Sequence, residues 1–528
     1  MAPRLVILGW DSATFDVTGP LMSEGRLPAL ASLQQRGFTA PLRSTWPPMT
    51  DCAWTSAFTG VNPGTHGIFG SWYRAPGAYE CRYFSGRDRR SKALWELGSD
   101  ARFLVWNVPM AYPPSPLEGV MVSGYGAPPG ARMCYPDDFQ DRLAERFELL
   151  DIVDRAPHTS LERFLEDLLR GLEVQAEALT WAATESGADC VVAVWPHVDR
   201  AQHFFWRFRN SSHPLSNAVE RVYEAMDRVT GVLLARWPEA DFVVISDHGA
   251  GPLHADVNLG KWLADRGRAV YGKKRSSPLL RAAWALPPSA RKLGRRFAPD
   301  TARKTLGATI TGQLGPFDWS KTRAFCGING DLWLNLEGRE PLGMVPEDAA
   351  AELEEELAAG LLELRDPGRG TAVVRAVYPR KGIYSGPATH LAPDLMLDMW
   401  SEGYRVTPAR EPSELVTAPQ PLAGVKEAWS SEHRPLGIFV AAGPRFSEGR
   451  AEELSLLDVC PTALALLEAA VPAGLDGRAA TEAFDVDWLS SHPESSTQAA
   501  TTRPIEGDYS EEEAAAVAAH LKDLGYIE

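Results

Sequence analysis

Short apolar runs alternate with longer amphipathic segments along most of this chain. Apolar runs of about four to eight residues are typical of buried strands, and apolar residues at helical spacing are typical of surface helices. The pattern predicts strands at 5–9, 103–106, 120–123, 190–195, 242–246, 395–398 and 437–441. It predicts helices at 161–186, 215–237 and 348–364. Alternation of this kind favours an α/β fold in which a largely parallel sheet is flanked by helices.

Polar residues that can bind metals follow three of the predicted strands. Asp11 follows the first strand, Asp199 follows the strand at 190–195, and Asp247 and His248 follow the strand at 242–246. In open parallel sheets the ligand site lies beyond the carboxyl ends of the strands. We therefore expect these side chains to converge at one edge of the sheet.

Two further histidines extend this set. His203 lies four residues after Asp199, which places both side chains on one face if the segment is helical. His433 precedes the last predicted strand. Taken singly, each of these residues also fits an ordinary polar position on a helix or loop. Together, three carboxylates and three imidazoles suit two cations about 3.5–4 Å apart, and mixed nitrogen and oxygen ligands favour zinc, with manganese as the alternative.

A hydroxyl near such a pair of cations would be a nucleophile. The segment 44–60 contains Thr50 among several rivals, and the spacing alone does not choose between them. The rival hydroxyls are those of Ser44, Thr45, Thr55, Ser56 and Thr59. A cation lowers the pKa of a bound hydroxyl, and a helix N-terminus favours a phosphorylated side chain.

The order of these motifs resembles the type I phosphodiesterase/nucleotide pyrophosphatase family of the alkaline phosphatase superfamily, and most closely its bacterial branch of predicted phosphohydrolases and phosphomutases. The motifs are Asp11, Pro-Pro-Met-Thr50, Thr59-Gly-Val-Asn-Pro-Gly-Thr-His-Gly67, Asp199-x-x-x-His203, Ser246-Asp-His-Gly249 and His433. The resemblance implies an alkaline-phosphatase-like core and a phosphothreonine intermediate on Thr50. It implies one metal held by Asp11, Thr50, Asp247 and His248, and a second held by Asp199, His203 and His433. It also implies that His66 is structural.

One position departs from the family pattern. Phosphodiesterases of this family carry an asparagine where this chain has Ser71, and its amide holds a phosphoryl oxygen. Arg74 could replace that donor by charge-assisted hydrogen bonds. The first hypothesis is a hydrolase of phosphodiesters or nucleotide pyrophosphates. The alternative is a phosphomonoesterase or phosphomutase with the same nucleophile, and a third is a protein that binds a phosphorylated ligand without chemistry.

Charge and composition divide the chain further. The net charge is −16, yet residues 266–304 contain twelve lysines or arginines and one acid. We predict a catalytic core at 1–257 and 318–489, a basic helical insert or cap at 258–317, a linker at 490–507 and a helical tail at 508–528. The insert would attract an anionic substrate or make weak contact with a membrane surface.

The remaining expectations concern partners and compartment. A small phosphorylated substrate is expected, and the negative net charge argues against specific nucleic-acid binding. Six widely spaced cysteines and an apolar start too short for a secretory leader predict a cytoplasmic protein. No feature of the sequence indicates an oligomeric state.

Overall fold

A computed structural model describes residues 2–74, 77, 79, 81–98, 100–124, 127, 131–149, 160–272, 317–327, 329–407, 414–421, 427–492, 495–498 and 501–503. In chain order the strands are β1 (Leu5–Trp10), β2 (Phe38–Arg43), β3 (Trp72–Arg74), β4 (Cys81–Tyr83), β5 (Phe103–Trp106), β6 (Gly119–Val122), β7 (Cys134–Tyr135), β8 (Cys190–Trp195), β9 (Asp241–Ile245), β10 (Gly249–Pro252), β11 (Ala255–Val257), β12 (Ala324–Cys326), β13 (Asp331–Leu334), β14 (Ala376–Pro379), β15 (Leu395–Asp398), β16 (Tyr404–Val406), β17 (Val416–Thr417), β18 (Ser431–Arg434), β19 (Leu436–Ala442), β20 (Gly449–Arg450), β21 (Leu454–Ser455), β22 (Val471–Pro472) and β23 (Ser496–Thr497). The α-helices are α1 (Phe15–Ser23), α2 (Pro28–Gln35), α3 (Thr50–Thr59), α4 (Pro63–His66), α5 (Leu94–Leu97), α6 (Asp138–Ala144), α7 (Leu161–Ser186), α8 (His197–Phe205), α9 (Ala218–Arg236), α10 (Leu259–Asp265), α11 (Ala350–Leu362), α12 (Arg380–Ile383), α13 (Val459–Leu466) and α14 (Val486–Ser491).

A central sheet organises the molecule. Its strand order is β20-β2-β19-β9-β1-β8-β5-β6-β7, with β21 also beside β2. The inner pairs β9–β1, β1–β8, β8–β5 and β5–β6 are parallel, whereas β19 and β7 pair antiparallel with their inner neighbours. The predicted fold class, a largely parallel sheet flanked by helices, is confirmed.

Both faces of this sheet are buried, because side chains of successive strand residues point to opposite sides. In β1, Val6 and Leu8 join a hydrophobic core that includes residues of α7 and α9. Leu5 and Ile7 join a second core that includes residues of α3 and α13. Burial on both faces explains why the inner strands are continuous apolar runs in the sequence.

A smaller antiparallel sheet lies outside the parallel one, with the order β12-β13-β15-β14. The predicted strand at 395–398 forms, but it belongs to this second sheet. An apolar run indicates that a strand is buried, but it does not indicate which strand lies beside it. The sequence pattern therefore could not assign the strands to the two sheets. Trp262 and Leu263 of α10 pack in the hydrophobic cluster that covers the smaller sheet.

Several predicted segments fall partly outside the described residues. Positions 273–316, which hold most of the basic segment, lie there, as do positions 504–528, which include the end of the predicted linker and the whole predicted tail at 508–528. The predicted cap, linker and tail therefore stay predictions. Across the described ranges, no helix is both long and apolar enough to cross a lipid bilayer.

Candidate active site

Three adjacent parallel strands supply most of the predicted metal ligands. In the order β9–β1–β8, the carboxyl ends lead to Asp247 and His248, to Asp11, and through α8 to Asp199 and His203. His433 arrives from a separate element, because β18 pairs antiparallel with β10 and sets His433 opposite Ala250. All six predicted ligands are buried and lie together at this edge of the sheet.

The three carboxylates share one pattern of contacts. One oxygen of each is held by the protein: Asp11 Oδ2 accepts from Trp54 Nε1 at 3.1 Å, and Asp247 Oδ1 accepts from the Ser12 amide at 3.2 Å. Asp199 Oδ2 accepts from Arg200 Nη2 at 2.6 Å. The other oxygen of each is buried without a hydrogen-bond donor within the described part of the chain. Buried carboxylate oxygens without donors are costly unless a cation binds them.

The three histidines show a complementary pattern. Each Nδ1 faces a backbone carbonyl, at 3.1 Å in His203 (Ser431), 3.1 Å in His248 (Gly249) and 2.8 Å in His433 (Pro48). A carbonyl can only accept, so each Nδ1 carries the hydrogen and each Nε2 presents a lone pair. This is how proteins orient histidine as a metal ligand.

The free oxygens and the Nε2 atoms face one another. His203 Nε2 and His433 Nε2 lie 3.3 Å apart, and they lie 3.1 and 3.5 Å from Asp199 Oδ1. His248 Nε2 lies 3.2 Å from Asp247 Oδ2 and 3.8 Å from Asp11 Oδ1. Lone pairs held this close repel one another without a cation between them, so the residues present fit divalent metal.

Two overlapping groups in the described residues have the spacing of a metal site. One is Asp199, His203 and His433; the other is Asp11, Asp199 and His248, with ligand atoms within 4.8 Å of one another in each. Asp199 therefore belongs to both groups. Asp247 adjoins the second group through its contact with His248.

Burial and crowding of like charges alter the acidity of the cluster. Burial, with Asp199 as the second cause, raises the pKa of Asp11 to about 8. Burial and then Asp11 raise the pKa of Asp247 well above its usual value. Burial alone would also raise the pKa of Asp199, but His203 and Arg200 bring it well below the usual value. Burial lowers the pKa of His248, which keeps its imidazole neutral.

Thr50 brings its hydroxyl to this cluster. It is the first residue of α3, and its Oγ1 lies 3.4 Å from His248 Nε2. The hydroxyls of Thr55, Ser56 and Thr59 instead bond to carbonyls one turn earlier in α3. Thr45 Oγ1 contacts the sulfur of Cys52 at 3.6 Å.

The two predicted substrate contacts have protein partners. Ser71 is buried and hydrogen-bonds to Asp51, the neighbour of Thr50, which keeps it beside the start of α3. Arg74 is also buried; it pairs with Glu340 at 2.8 Å and lies over the Trp333 ring at 4.3 Å. Their roles in substrate binding stay predictions.

The sequence analysis missed the residues that hold the ligands in place. Trp54 follows Thr50 by one helical turn, and Gly9 lets its ring approach, since a Cβ there would lie 2.5 Å from the ring. Trp429 stacks on His203 with ring centroids 3.7 Å apart. Arg200 could have been predicted from its position next to Asp199, whereas no sequence pattern indicated Trp429.

The sequence model of the family described as type I phosphodiesterase / nucleotide pyrophosphatase matches residues 5–429. The chain belongs to this family. The match begins at β1 and includes all the ligands except His433, which lies four residues beyond its end. Among curated proteins, no relative matches.

Solved structures of a phosphonoacetate hydrolase and an alkaline phosphatase share the fold. Phosphonoacetate hydrolase from Sinorhizobium meliloti 1021, in complex with phosphonoacetate, has a TM-score of 0.55 at 17% identity and covers 88% of this chain and 96% of its own. Wild-type alkaline phosphatase PafA has a TM-score of 0.52 at 13% identity and covers 92% and 99%. At these identities the likeness establishes the fold and not the substrate. The chain therefore belongs to a family described as phosphodiesterases and nucleotide pyrophosphatases, shares its fold with these two enzymes and carries candidate metal ligands.

Proposed function

We propose that this protein is a two-metal phosphohydrolase that cleaves a phosphodiester or nucleotide pyrophosphate bond through a phosphothreonine on Thr50. The observation that carries the proposal is the position of the Thr50 hydroxyl, 3.4 Å from His248 Nε2 at the edge of the six-ligand cluster. A hydroxyl beside two cations is the arrangement that an in-line displacement at phosphorus requires.

The ligands divide into two sets for the cations. Asp11, Asp247 and His248 would hold one together with Thr50, and Asp199, His203 and His433 would hold the other. Bound divalent cations would lower the pKa of the hydroxyl and neutralise charge on the phosphoryl group. Imidazole with carboxylate ligands suits zinc, and manganese is the second choice.

Thr50 also lies where a phosphoryl group is favoured. The helix α3 starts after Met49, whose side chain makes no capping hydrogen bond, so the first backbone N–H groups of α3 remain available for an anion. In the proposed reaction Thr50 Oγ1 gives up its proton and attacks phosphorus, while the bond to the leaving oxygen breaks and that oxygen takes up a proton. Water then attacks the same phosphorus and the bond to Thr50 Oγ1 breaks. One proton of the water restores the Thr50 hydroxyl, and the phosphomonoester product leaves.

The surroundings of Arg74 support a diester over a monoester. A monoester carries a second negative charge, which an uncompensated cation beside the phosphoryl group would favour. Arg74 pairs with the buried Glu340, whose Oε1 also accepts from Arg339 at 2.8 Å. A guanidinium already engaged by a carboxylate favours a second charge on the phosphoryl group less than an unengaged one would, so we propose a small diester or nucleotide as the substrate class. A cytoplasmic location stays a prediction from the cysteine pattern.

The test compares Thr50→Ala and Thr50→Ser with Thr55→Ala, which removes a hydroxyl of the same helix that bonds to the Asp51 carbonyl. With zinc or manganese, the wild type and Thr55→Ala should hydrolyse bis(4-nitrophenyl) phosphate at least about tenfold better than 4-nitrophenyl phosphate. Thr50→Ala should lose nearly all turnover. Acid quenching of the reaction with bis(4-nitrophenyl) phosphate, followed by mass spectrometry, should find a peptide containing Thr50 that carries one 4-nitrophenylphosphoryl group in the wild type.

Two results would contradict the proposal. Unchanged turnover in Thr50→Ala would exclude Thr50 as nucleophile. A preference for the monoester would favour the phosphomonoesterase or phosphomutase alternative, in which the same phosphothreonine is passed to another acceptor.

A further inference from the structure

Gln202 is a fully buried residue of α8 that lies between two candidate metal ligands of that helix, Asp199 and His203. Its Nε2 donates to the Ser12 carbonyl at 2.9 Å, and its Oε1 accepts from the Tyr223 hydroxyl at 3.2 Å. A carbonyl can only accept, so the orientation of the amide follows from its partners. Gln202 therefore ties α8 to the loop that follows β1.

The loop after β1 passes through Ser12, which is also fully buried. The φ of Ser12 is 66°, in the left-handed region that residues with a side chain rarely adopt. In this conformation its N–H donates to Asp247 Oδ1 at 3.2 Å while its carbonyl accepts from Gln202. The Tyr223 hydroxyl, which donates to Gln202, accepts from the Thr14 amide at 3.2 Å. Side chains of α8 and α9 thus hold the loop at two points.

These contacts link the two proposed cation sites. The first site is that of Asp11, Asp247 and His248, and the second is that of Asp199, His203 and His433. Asp11 directly precedes Ser12 in the chain, and Asp247 accepts from the Ser12 N–H. Gln202 extends from α8, the helix that supplies two ligands of the second site. The hydrogen bond between Gln202 and Ser12 therefore connects one site to the other.

We propose that Gln202 is a positioning residue that sets the separation of the two cation sites. It acts through Ser12, whose carbonyl it holds. The Ser12 N–H then stays directed at Asp247 Oδ1, which leaves Oδ2 of that carboxylate beside His248 Nε2 at 3.2 Å. Two cations clamp both oxygens of an in-line displacement at a separation of about 3.5–4 Å, so a wrong separation impairs turnover even when both cations are bound. This inference rests on the two-metal function proposed above.

The loss of the Gln202 amide has a definite structural consequence. The Ser12 carbonyl and the Tyr223 hydroxyl would each lose a partner in a buried place. A buried carbonyl without a donor is costly, so the Ser12 peptide would turn toward another donor. Its N–H would then turn away from Asp247, and the first site would shift relative to α8.

The test measures the separation of the two cations directly. The full chain is loaded with two manganese ions, which are paramagnetic, and electron paramagnetic resonance measures the magnetic coupling between them. The wild type should show the spectrum of a coupled pair. Gln202→Met keeps the length of the side chain and removes the amide, so the coupling should weaken although the metal content stays at two ions per chain.

Steady-state kinetics of the same manganese-loaded proteins provide the second measurement. For bis(4-nitrophenyl) phosphate, Gln202→Met should lower kcat at least about tenfold and leave KM within about threefold of the wild type. The loss falls on kcat because the side chain acts on the ligands that hold the cations and does not itself contact the substrate.

Tyr223→Phe is the graded variant. It removes only the hydroxyl that donates to Gln202 and accepts from Thr14, so the coupling should weaken less and kcat should fall about threefold. Gln175→Met is the matched control, because Gln175 is a buried glutamine of α7 whose Oε1 has no hydrogen-bond donor among the described residues. It should keep the wild-type coupling and kcat within about twofold.

The outcomes separate the two proposals. Wild-type coupling in folded Gln202→Met, whether or not kcat falls, would overturn the role of Gln202 and leave the two-metal function standing. An equal change in Gln175→Met would do the same. If Gln202→Met does not fold, Tyr223→Phe decides, and unchanged coupling and kcat in that variant would overturn the role. A wild type that binds only one manganese ion would overturn both proposals.

Discussion

Two sets of buried histidines in this protein look alike in burial and differ in their hydrogen bonds. His66 Nδ1 accepts from the Ile68 amide at 3.1 Å, so its Nε2 carries the hydrogen and donates to Ser56 Oγ at 2.8 Å. The histidines of the cluster instead donate from Nδ1 and direct a bare Nε2 at one another and at carboxylates. Burial alone does not identify a candidate metal ligand; a bare Nε2 that faces carboxylate oxygens does.

The largest effect should come from removing one bare Nε2. We expect His433→Ala to lower kcat/KM for a phosphodiester by on the order of 10³-fold and to bind one zinc ion fewer, because Asp199 and His203 alone cannot hold a cation well. Metal content by atomic emission and steady-state kinetics measure the two effects. A zinc content equal to that of the wild type in His433→Ala would contradict the claim that the cluster histidines, unlike His66, bind metal.

Removing the satisfied histidine should change stability and not metal binding. His66→Ala leaves the Ile68 amide without its acceptor and opens a space in the core, so the free energy of unfolding should fall by about 3 kcal/mol. Urea denaturation measures this free energy. The control is His390→Ala at an exposed position, whose free energy of unfolding should stay within about 0.5 kcal/mol of the wild type. A lower zinc content in folded His66→Ala would contradict the comparison.

A pH series tests the neutral state of the satisfied histidine. Burial, and to a lesser degree Arg89, lowers the pKa of His66 to about 3. Its unfolded pKa is about 6.5, so its contribution to stability is complete above that pH and is lost as the pH falls toward 3. Between pH 7 and pH 5 the wild type should lose about 2 kcal/mol more than His66→Asn. Urea denaturation of both proteins at the two pH values measures this loss. An equal loss of free energy of unfolding in the two proteins would show that His66 is not held neutral.

The smallest effect should follow from a group that supports a ligand. Trp54→Phe keeps the ring that stacks on Phe58 but removes the donor to Asp11 Oδ2, so zinc affinity at that site should fall about tenfold. Competition with a chelator measures it. Trp95→Phe is the control, because the Trp95 ring also packs against Phe58, with centroids 5.9 Å apart, and its Nε1 donates to none of the metal ligands. Equal losses in both variants would indicate a packing effect.

Much of the fold followed from local patterns. The helix predicted at 161–186 has the bounds of α7, and the strand predicted at 190–195 has those of β8. The helix α7 is long and the strand β8 is strongly apolar, so each sequence pattern fits one type of secondary structure much better than the other. The strand β2 was not predicted, since its burial changes along its length and Pro41 interrupts its apolar pattern. Its pairing with β19 depends on contacts distant in sequence.

By itself, the sequence determined the chemical types at the candidate site and their order along the chain. Asp11, Asp199 and Asp247 each come after a predicted strand. Because the carboxyl ends of parallel strands share one edge of a sheet, the sequence pattern was enough to predict that these side chains converge. Only the tertiary structure decided which atoms are left for a cation. Trp54 and Ser12 reach Asp11 and Asp247 from distant segments, and the carbonyls that orient His203 and His433 belong to the distant Ser431 and Pro48. Arg200 and Gly249 instead adjoin the ligands that they hold. The distant partners depend on long-range packing, and a sequence pattern does not encode the directions of hydrogen bonds.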